Sequence, residues 1–308
     1  MAYTSNILAL VGADKNGIFS PNRLTIWTTD GDSIVCEREF FSKIESVKLN
    51  KTRLIVCVKD KIHIYNMINM KFLKAITANY SLARLALSPC HENPYLVYSD
   101  SIDTGKTSIY DTHSLSLSNS VMAHKSPILK LTINYYGTHI ATCSCKGTII
   151  RIFSIPKGER LYSFRRGMNS AQVFFVCFNI NSNYMLLSSN SGTIHIFKMS
   201  EEAINTKAQY LFHYNIRIKK QEEKQGGWFG GMMKALLFTN DNYESVVEST
   251  KSCMTLKRAE FTKSNICAML KNDESIIVIN NEGRYVLFKI NLATLTDKVE
   301  KEGFIFDL

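Results

Sequence analysis

An aliphatic residue followed by an aromatic recurs along this chain at Ile26-Trp27, Ile64-Tyr65, Ile109-Tyr110, Ile152-Phe153 and Ile196-Phe197, with a weaker copy at Leu287-Phe288. Successive aromatics lie 38, 45, 43, 44 and then 91 residues apart. Each copy sits in a short strand pattern, and other alternating or apolar strand patterns fill the intervals, among them Ser46 to Leu49, Leu54 to Val58, Ile128 to Ile133, Val173 to Phe178 and Ser275 to Ile279. Turn residues punctuate them, as at Ser88-Pro89, Tyr136-Gly137, Asn190-Ser191-Gly192 and Asn281-Glu282-Gly283. A period of about 40 to 45 residues carrying about four strands is the mark of a propeller blade. A chain of 308 residues exceeds the usual single-domain size unless it forms a barrel, solenoid or propeller. The reading is an all-β chain, a β-propeller of four-stranded blades with six blade-like units visible, forming a single domain over residues 1–308.

The interval of 91 residues holds more than one copy. Gln209 to Ile218 and Leu256 to Lys263 read as blade material, and about 219–255 reads as a long loop insertion without the strand pattern. The insertion contains Gly226-Gly227-Trp228-Phe229-Gly230-Gly231-Met232-Met233. On a helix, Phe229, Met232, Met233, Leu236 and Leu237 share one face. That face suits a membrane interface, with Trp228 as a headgroup-level anchor, and equally suits a helix docked on the propeller rim. The pattern alone leaves both open.

A net charge of +10 points to an anionic partner: nucleic acid, a membrane surface or an acidic protein. From Val121 to Met199 nine Lys or Arg stand against one acid, Glu159, so most of that charge is local. A nucleic-acid binder needs aromatics interleaved with exposed cations for base stacking, whereas the aromatics here fall on apolar strand positions. The chain carries no Gly-x-Ser-x-Gly, Walker loop or His-Glu-x-x-His, so it does not read as an enzyme. Its eight cysteines form no Cys-x-x-Cys pair and its seven histidines do not cluster with them at metal-ligand spacing, so free thiols are expected, with no metal and no cofactor. Met1 to Gly17 has neither a basic start nor a long apolar run, and no stretch is long enough to span a bilayer, which reads as cytoplasmic.

The basic segment centres on Leu161-Tyr162-Ser163-Phe164-Arg165-Arg166-Gly167. Along a strand, successive side chains point to opposite faces, so Arg165 and Arg166 are expected to serve different pockets rather than one patch. Two flanking stretches, Thr142 to Arg151 and Leu187 to His195, each read as strand, tight turn and strand, and carry hydroxyls with a cationic or imidazole side chain at similar positions. Arginine with hydroxyls is the chemistry that holds a phosphate monoester, because the guanidinium gives bidentate charge-assisted bonds and Ser or Thr fills the remaining acceptors.

With Phe164-Arg165-Arg166-Gly167, the Ala123-His124-Lys125-Ser126-Pro127 segment, the Lys146-Gly147-Thr148 to Arg151 turn and Thr193-x-His195-x-Phe197, the chain resembles the PROPPIN (WIPI) family over nearly its whole length. The resemblance implies a phosphoinositide-binding β-propeller of autophagy that recognises phosphatidylinositol 3-phosphate and phosphatidylinositol 3,5-bisphosphate through two rim pockets. One pocket would use Thr142, Lys146, Gly147, Thr148, Arg151 and Arg165. The other would use Arg166, Ser189, Thr193 and His195, and Trp228, Phe229, Met232 and Met233 would insert into the membrane. Implied partners are phosphoinositide-containing membranes and autophagy proteins such as a lipid-transfer protein or conjugation scaffold, with no nucleic acid and a monomer in solution. Implied localisation is peripheral, on phagophore, endosomal or vacuolar membranes. The family has seven blades, and the pattern here opens at Asn6 to Gly12, which resembles the second strand of the second blade, so the first blade has no counterpart. Pro21-Asn22-Arg23 stands where the family commonly has Pro-Arg in a partner-binding loop. A protein-interaction scaffold without lipid binding is the competing class, since propellers commonly present loops to partners.

Overall fold

The computed structural model describes residues 6–13, 20–77, 84–199, 250–270 and 273–304. Trp228, Phe229, Met232 and Met233, with Gln209 to Ile218, lie outside the described residues. The chain divides into two compact units, Met1–Cys145 with Ser154–Gly158, and Lys146–Phe153 with Glu159–Leu308.

In the first unit, β1 (Ile7–Val11), β2 (Arg23–Thr28) and β3 (Ser33–Glu39) form one sheet in that order. A four-stranded meander follows from β4 (Ile44–Leu49), β5 (Arg53–Val58), β6 (Lys61–Asn66) and β7 (Phe72–Thr77), and another from β8 (Leu85–Leu87), β9 (Tyr95–Ser99), β10 (Gly105–Asp111) and β11 (Ser116–His124). The unit closes with the β12 (Ile128–Ile133) and β13 (His139–Ser144) hairpin.

The second unit opens with β14 (Ile149–Ser154) and β15 (Arg160–Arg165), which pair antiparallel, and β19 (Thr250–Lys251) adds to β15 in parallel. Next come β16 (Val173–Phe178), β17 (Tyr184–Ser189), β18 (Thr193–Lys198) and β20 (Met254–Lys257), then β21 (Asn265–Met269), β22 (Ser275–Asn280), β23 (Arg284–Asn291) and β24 (Thr296–Phe304), each set a sheet in that order.

Burial follows strand position. The second strands β5, β9, β13 and β17 are near-continuous apolar or small-residue runs and are buried at almost every position. Such runs suit strands covered on both faces. The outer strand β3 is mostly exposed and β7 alternates exposed with partly buried residues, and both carry charge, which blunts their free edges. The first unit packs Leu24, Ile26, Leu54 and Val56 in one apolar cluster, and the second packs Leu186, Ile194, Ile196, Leu256, Val278 and Phe288 in another.

The recurring dipeptide lies in the third strand of the later sheets and in the middle strand of the three-stranded first sheet, and at five of its six occurrences it marks a β-bulge. The pairing with the outer strand shifts register between Ile26 and Trp27, Ile64 and Tyr65, Ile109 and Tyr110, Ile152 and Phe153, and Leu287 and Phe288. In the β14–β15 hairpin Ile152 faces Tyr162 while Phe153 faces Arg160, which leaves Leu161 as the extra residue. A bulge bends and twists the strand that carries it. Buried Asn50, Asn134 and Asn179 follow β4, β12 and β16, and each side-chain carbonyl accepts the backbone N–H that opens the next strand: Arg53 at 2.8 Å, His139 at 2.9 Å and Tyr184 at 2.9 Å.

Two expectations are corrected. The blade material read over Leu256 to Lys263 is a strand that begins at Met254 and ends at Lys257, followed by a 3-10 turn over Ala259–Thr262. The insertion read to about Thr255 without strand structure ends in paired strands from Thr250, because Thr250 and Lys251 borrow the edge of β15 and Met254 buries its side chain against the core. Two-residue strands leave no periodic signal in a sequence.

Candidate anion-binding site

The β14–β15 hairpin places the first group of candidate residues. Arg151 stands opposite Ser163 and Ile149 opposite Arg165, and residues directly opposite share a face, so Arg151 and Arg165 lie on one side of the hairpin. Phe164 and Ile150 pair on the other side and are buried. Phe164 meets Phe197 of β18 with ring centroids 4.9 Å apart. Arg165 is half-buried, its Nη1 lies 3.7 Å from Met168 Sδ, and burial draws its pKa below the ordinary arginine value.

Arg166 follows the strand and has different neighbours. Its N–H donates to the Thr148 carbonyl at 2.9 Å, its Nε donates to the Gly147 carbonyl at 2.7 Å, and its Nη2 donates to the Asn169 carbonyl. Ala171 N–H donates to the Lys146 carbonyl at 3.2 Å. The Lys146–Thr148 turn is thereby clasped to the chain after the double arginine. Gly147 makes the clasp possible: its φ is +63°, and a Cβ there would sit 1.9 Å from the Ala171 carbonyl oxygen.

The structure brings Lys146, Gly147, Thr148, Arg151 and Arg165 into this hairpin and its preceding turn. Thr142 lies in the first unit, where His124 Nε2 donates to its carbonyl at 3.2 Å and lies 3.1 Å from its Oγ1.

The second group forms a linear relay. Ser189 Oγ and Ser191 Oγ lie 2.8 Å apart, Ser191 Oγ and Thr193 Oγ1 2.8 Å, Thr193 Oγ1 and His195 Nε2 3.0 Å, and His195 Nδ1 and Ser252 Oγ 3.3 Å. Gly192, at φ +73°, turns the chain between the two strands. His195 is only 8% exposed, and burial first, then the positive charge of Arg166, lowers its pKa to about 4. The imidazole is therefore neutral at pH 7, and Arg166 is close enough to act on it.

A PROPPIN family model matches residues 5–291. The chain belongs to the PROPPIN family. It is 31% identical over 329 aligned positions to autophagy-related protein 18 of Yarrowia lipolytica, covering 95% of this chain and 82% of that protein. It is 32% identical over 297 positions to autophagy-related protein 18 of Dictyostelium discoideum, covering 94% of this chain and 77% of that one. A solved structure of KlAtg21 in complex with the coiled-coil of AgAtg16 superposes with a TM-score of 0.74 at 20% identity, over 98% of this chain and 83% of that one. The expected β-propeller class is thus that of the PROPPIN fold. PROPPINs are non-enzymatic effectors for which phosphoinositide binding is characteristic, and the relatives matched here are autophagy proteins.

Within this PROPPIN, sequence reasoning passed over three polar residues beside the candidate groups. Ser191 was legible as the middle hydroxyl of Ser189-x-Ser191-x-Thr193, all on one side of a tight turn. Lys251 and Ser252 were not, because Lys251 is 86 residues from Arg165 and Ser252 is 57 from His195, and both fall in the stretch read as lacking the strand pattern. Among the described residues no helix is long and apolar enough to cross a membrane, and no His, Cys, Asp and Glu group has metal-site geometry.

Proposed function

We propose that this PROPPIN binds phosphatidylinositol 3-phosphate and phosphatidylinositol 3,5-bisphosphate on membranes through two pockets either side of the double arginine, and recruits autophagy or endolysosomal machinery there. The first pocket uses Lys146, Gly147, Thr148, Arg151 and Arg165. The second uses Arg166, Ser189, Thr193 and His195. The supporting observation is the divergence of the two arginines: Arg165 shares a hairpin face with Arg151, while Arg166 is tied to the Gly147 carbonyl at 2.7 Å and acts on His195 at the head of the hydroxyl relay. Guanidinium beside hydroxyls offers charge and donors to the phosphate oxygens. Trp228, Phe229, Met232 and Met233 supply a membrane-inserted second signal, since a single clamp gives reversible binding.

Flotation with liposomes carrying phosphatidylinositol 3-phosphate tests the proposal. Arg165→Ala and Arg166→Ala each reduce binding in part and the double substitution abolishes it, because two modest sites on one body reinforce each other through effective concentration. Complete loss from either single change points to one shared pocket. Undiminished flotation of the double variant refutes lipid binding at this site and favours a protein scaffold.

A further inference from the structure

The short strand β19 runs parallel to the double-arginine strand, with Lys251 opposite Arg165. Paired residues of neighbouring strands share a face, so the Lys251 ammonium stands on the side of Arg165. Ser252 is the next residue and alternates to the other side, where its Oγ lies 3.3 Å from His195 Nδ1. Arg166, the residue after Arg165, also acts on His195. Two consecutive residue pairs on adjacent segments thus divide in the same sense: first members together, second members together at His195. Cys253 N–H then donates to the Ile196 carbonyl at 2.9 Å, which anchors the segment to β18 just past the relay.

We propose that Lys251 and Ser252 complete the two phosphate pockets, Lys251 as a further cation of the Arg165 pocket and Ser252 as the group that orients His195 in the Arg166 pocket. The proposal rests on the two-pocket reading given above. Lys251 is exposed, so its ammonium reaches a ligand without first being desolvated, and its strand position sets it beside the Arg165 guanidinium. A phosphate monoester between Arg165 and Lys251 gains a second charge-assisted bond. At the other pocket, the Ser252 hydroxyl donates to Nδ1, which leaves the imidazole proton on Nε2, facing Thr193 Oγ1 at 3.0 Å. A histidine's second nitrogen commonly fixes the tautomer in this way. The strand β19 therefore joins both pockets through neighbouring residues of one backbone.

Epistasis on liposomes carrying phosphatidylinositol 3-phosphate tests this, with soluble inositol 1,3-bisphosphate and inorganic phosphate as parallel probes to separate headgroup from bare phosphate recognition. With the second pocket disabled by Arg166→Ala, Lys251→Gln lowers the remaining affinity about tenfold, the worth of one charge-assisted bond, and Lys251→Arg restores most of it. With the first pocket disabled by Arg165→Ala, Lys251→Gln changes nothing, whereas Ser252→Ala weakens binding several-fold and Ser252→Thr does not. Imidazole nitrogen NMR gives a readout independent of ligand: wild type holds His195 as the Nε2–H tautomer, and Ser252→Ala yields a mixture. Equal effects of Lys251→Gln in both backgrounds, or an unchanged tautomer in Ser252→Ala, overturn the assignment while leaving the two-pocket reading intact. No effect of Arg165→Ala or Arg166→Ala alone overturns both.

Discussion

His195 is buried and neutral, which ties the stability of the protein to pH. Its folded pKa of about 4 lies below the ordinary value of 6.5, so between those values the unfolded chain binds more protons than the folded one. Stability from this residue is full above pH 6.5 and declines as pH falls towards 4, by about 3 kcal/mol in all. Burial also depresses the pKa of His63 and of His139, which adds to the same trend. Melting temperatures measured from pH 7.5 to 5 are expected to fall, and His195→Gln is expected to flatten the decline. In the pocket proposed for it, His195 is therefore neutral before a ligand arrives and serves as a hydrogen-bonding group. Gly147 gives a second residue-level test. Gly147→Ala adds a Cβ 1.9 Å from the Ala171 carbonyl at a positive φ, so it is expected to cost several kcal/mol in urea denaturation and to release Arg166 from its clasp.

At the scale of the element, the β15 strand carries two duties on opposite faces. One face bears Ser163 and Arg165, the other Tyr162 and Phe164, whose rings stack with centroids 5.5 Å apart. The contact of Phe164 with Phe197 across to β18 holds the two candidate pockets in fixed relation within the second unit. Phe164→Ala is expected to destabilise the protein by about 3 to 5 kcal/mol, since it removes a fully buried ring, and chemical denaturation measures it. Phe164→Leu, which keeps most of the volume, is expected to cost less and to retain liposome binding. The bulge at Leu161 matters to the same strand, because one extra residue upstream decides which way every following side chain faces.

For the whole molecule, the proposed function asks what would hold a body with a net charge of +10 on a membrane. Each basic residue near an anionic surface contributes about 1 kcal/mol, which salt screens. Liposome binding is therefore expected to weaken as ionic strength rises. Stable residence needs a second, apolar signal, and Trp228 and Phe229 are the candidates. Trp228→Ser with Phe229→Ser is expected to leave affinity for soluble inositol 1,3-bisphosphate unchanged and to reduce flotation sharply. A lowered melting temperature with unchanged flotation instead identifies these residues as a cover on the propeller.

The repeat was legible without coordinates because it is local: Ile-aromatic pairs at intervals near 43 residues mark equivalent strands, and four of these pairs, with Leu287-Phe288, mark bulges as well. Strand limits such as Ile128–Ile133 and Val173–Phe178 were legible for the same reason, since apolar runs bounded by turn residues need no long-range information. The double arginine and the hydroxyl-rich stretch Leu187 to His195 were legible as candidate phosphate ligands through residue type, and the opposed faces of Arg165 and Arg166 through the strand period of two. Tertiary structure alone decided the rest. The burial that keeps His195 neutral comes from residues packed around it, not from its neighbours in sequence. The approach of Lys251 to Arg165 and of Ser252 to His195 depends on a strand two residues long pairing across a gap of 86 positions. Pairing between remote segments costs loop-closure entropy and is bought only by the sheet edge it satisfies, so no local pattern foretells it.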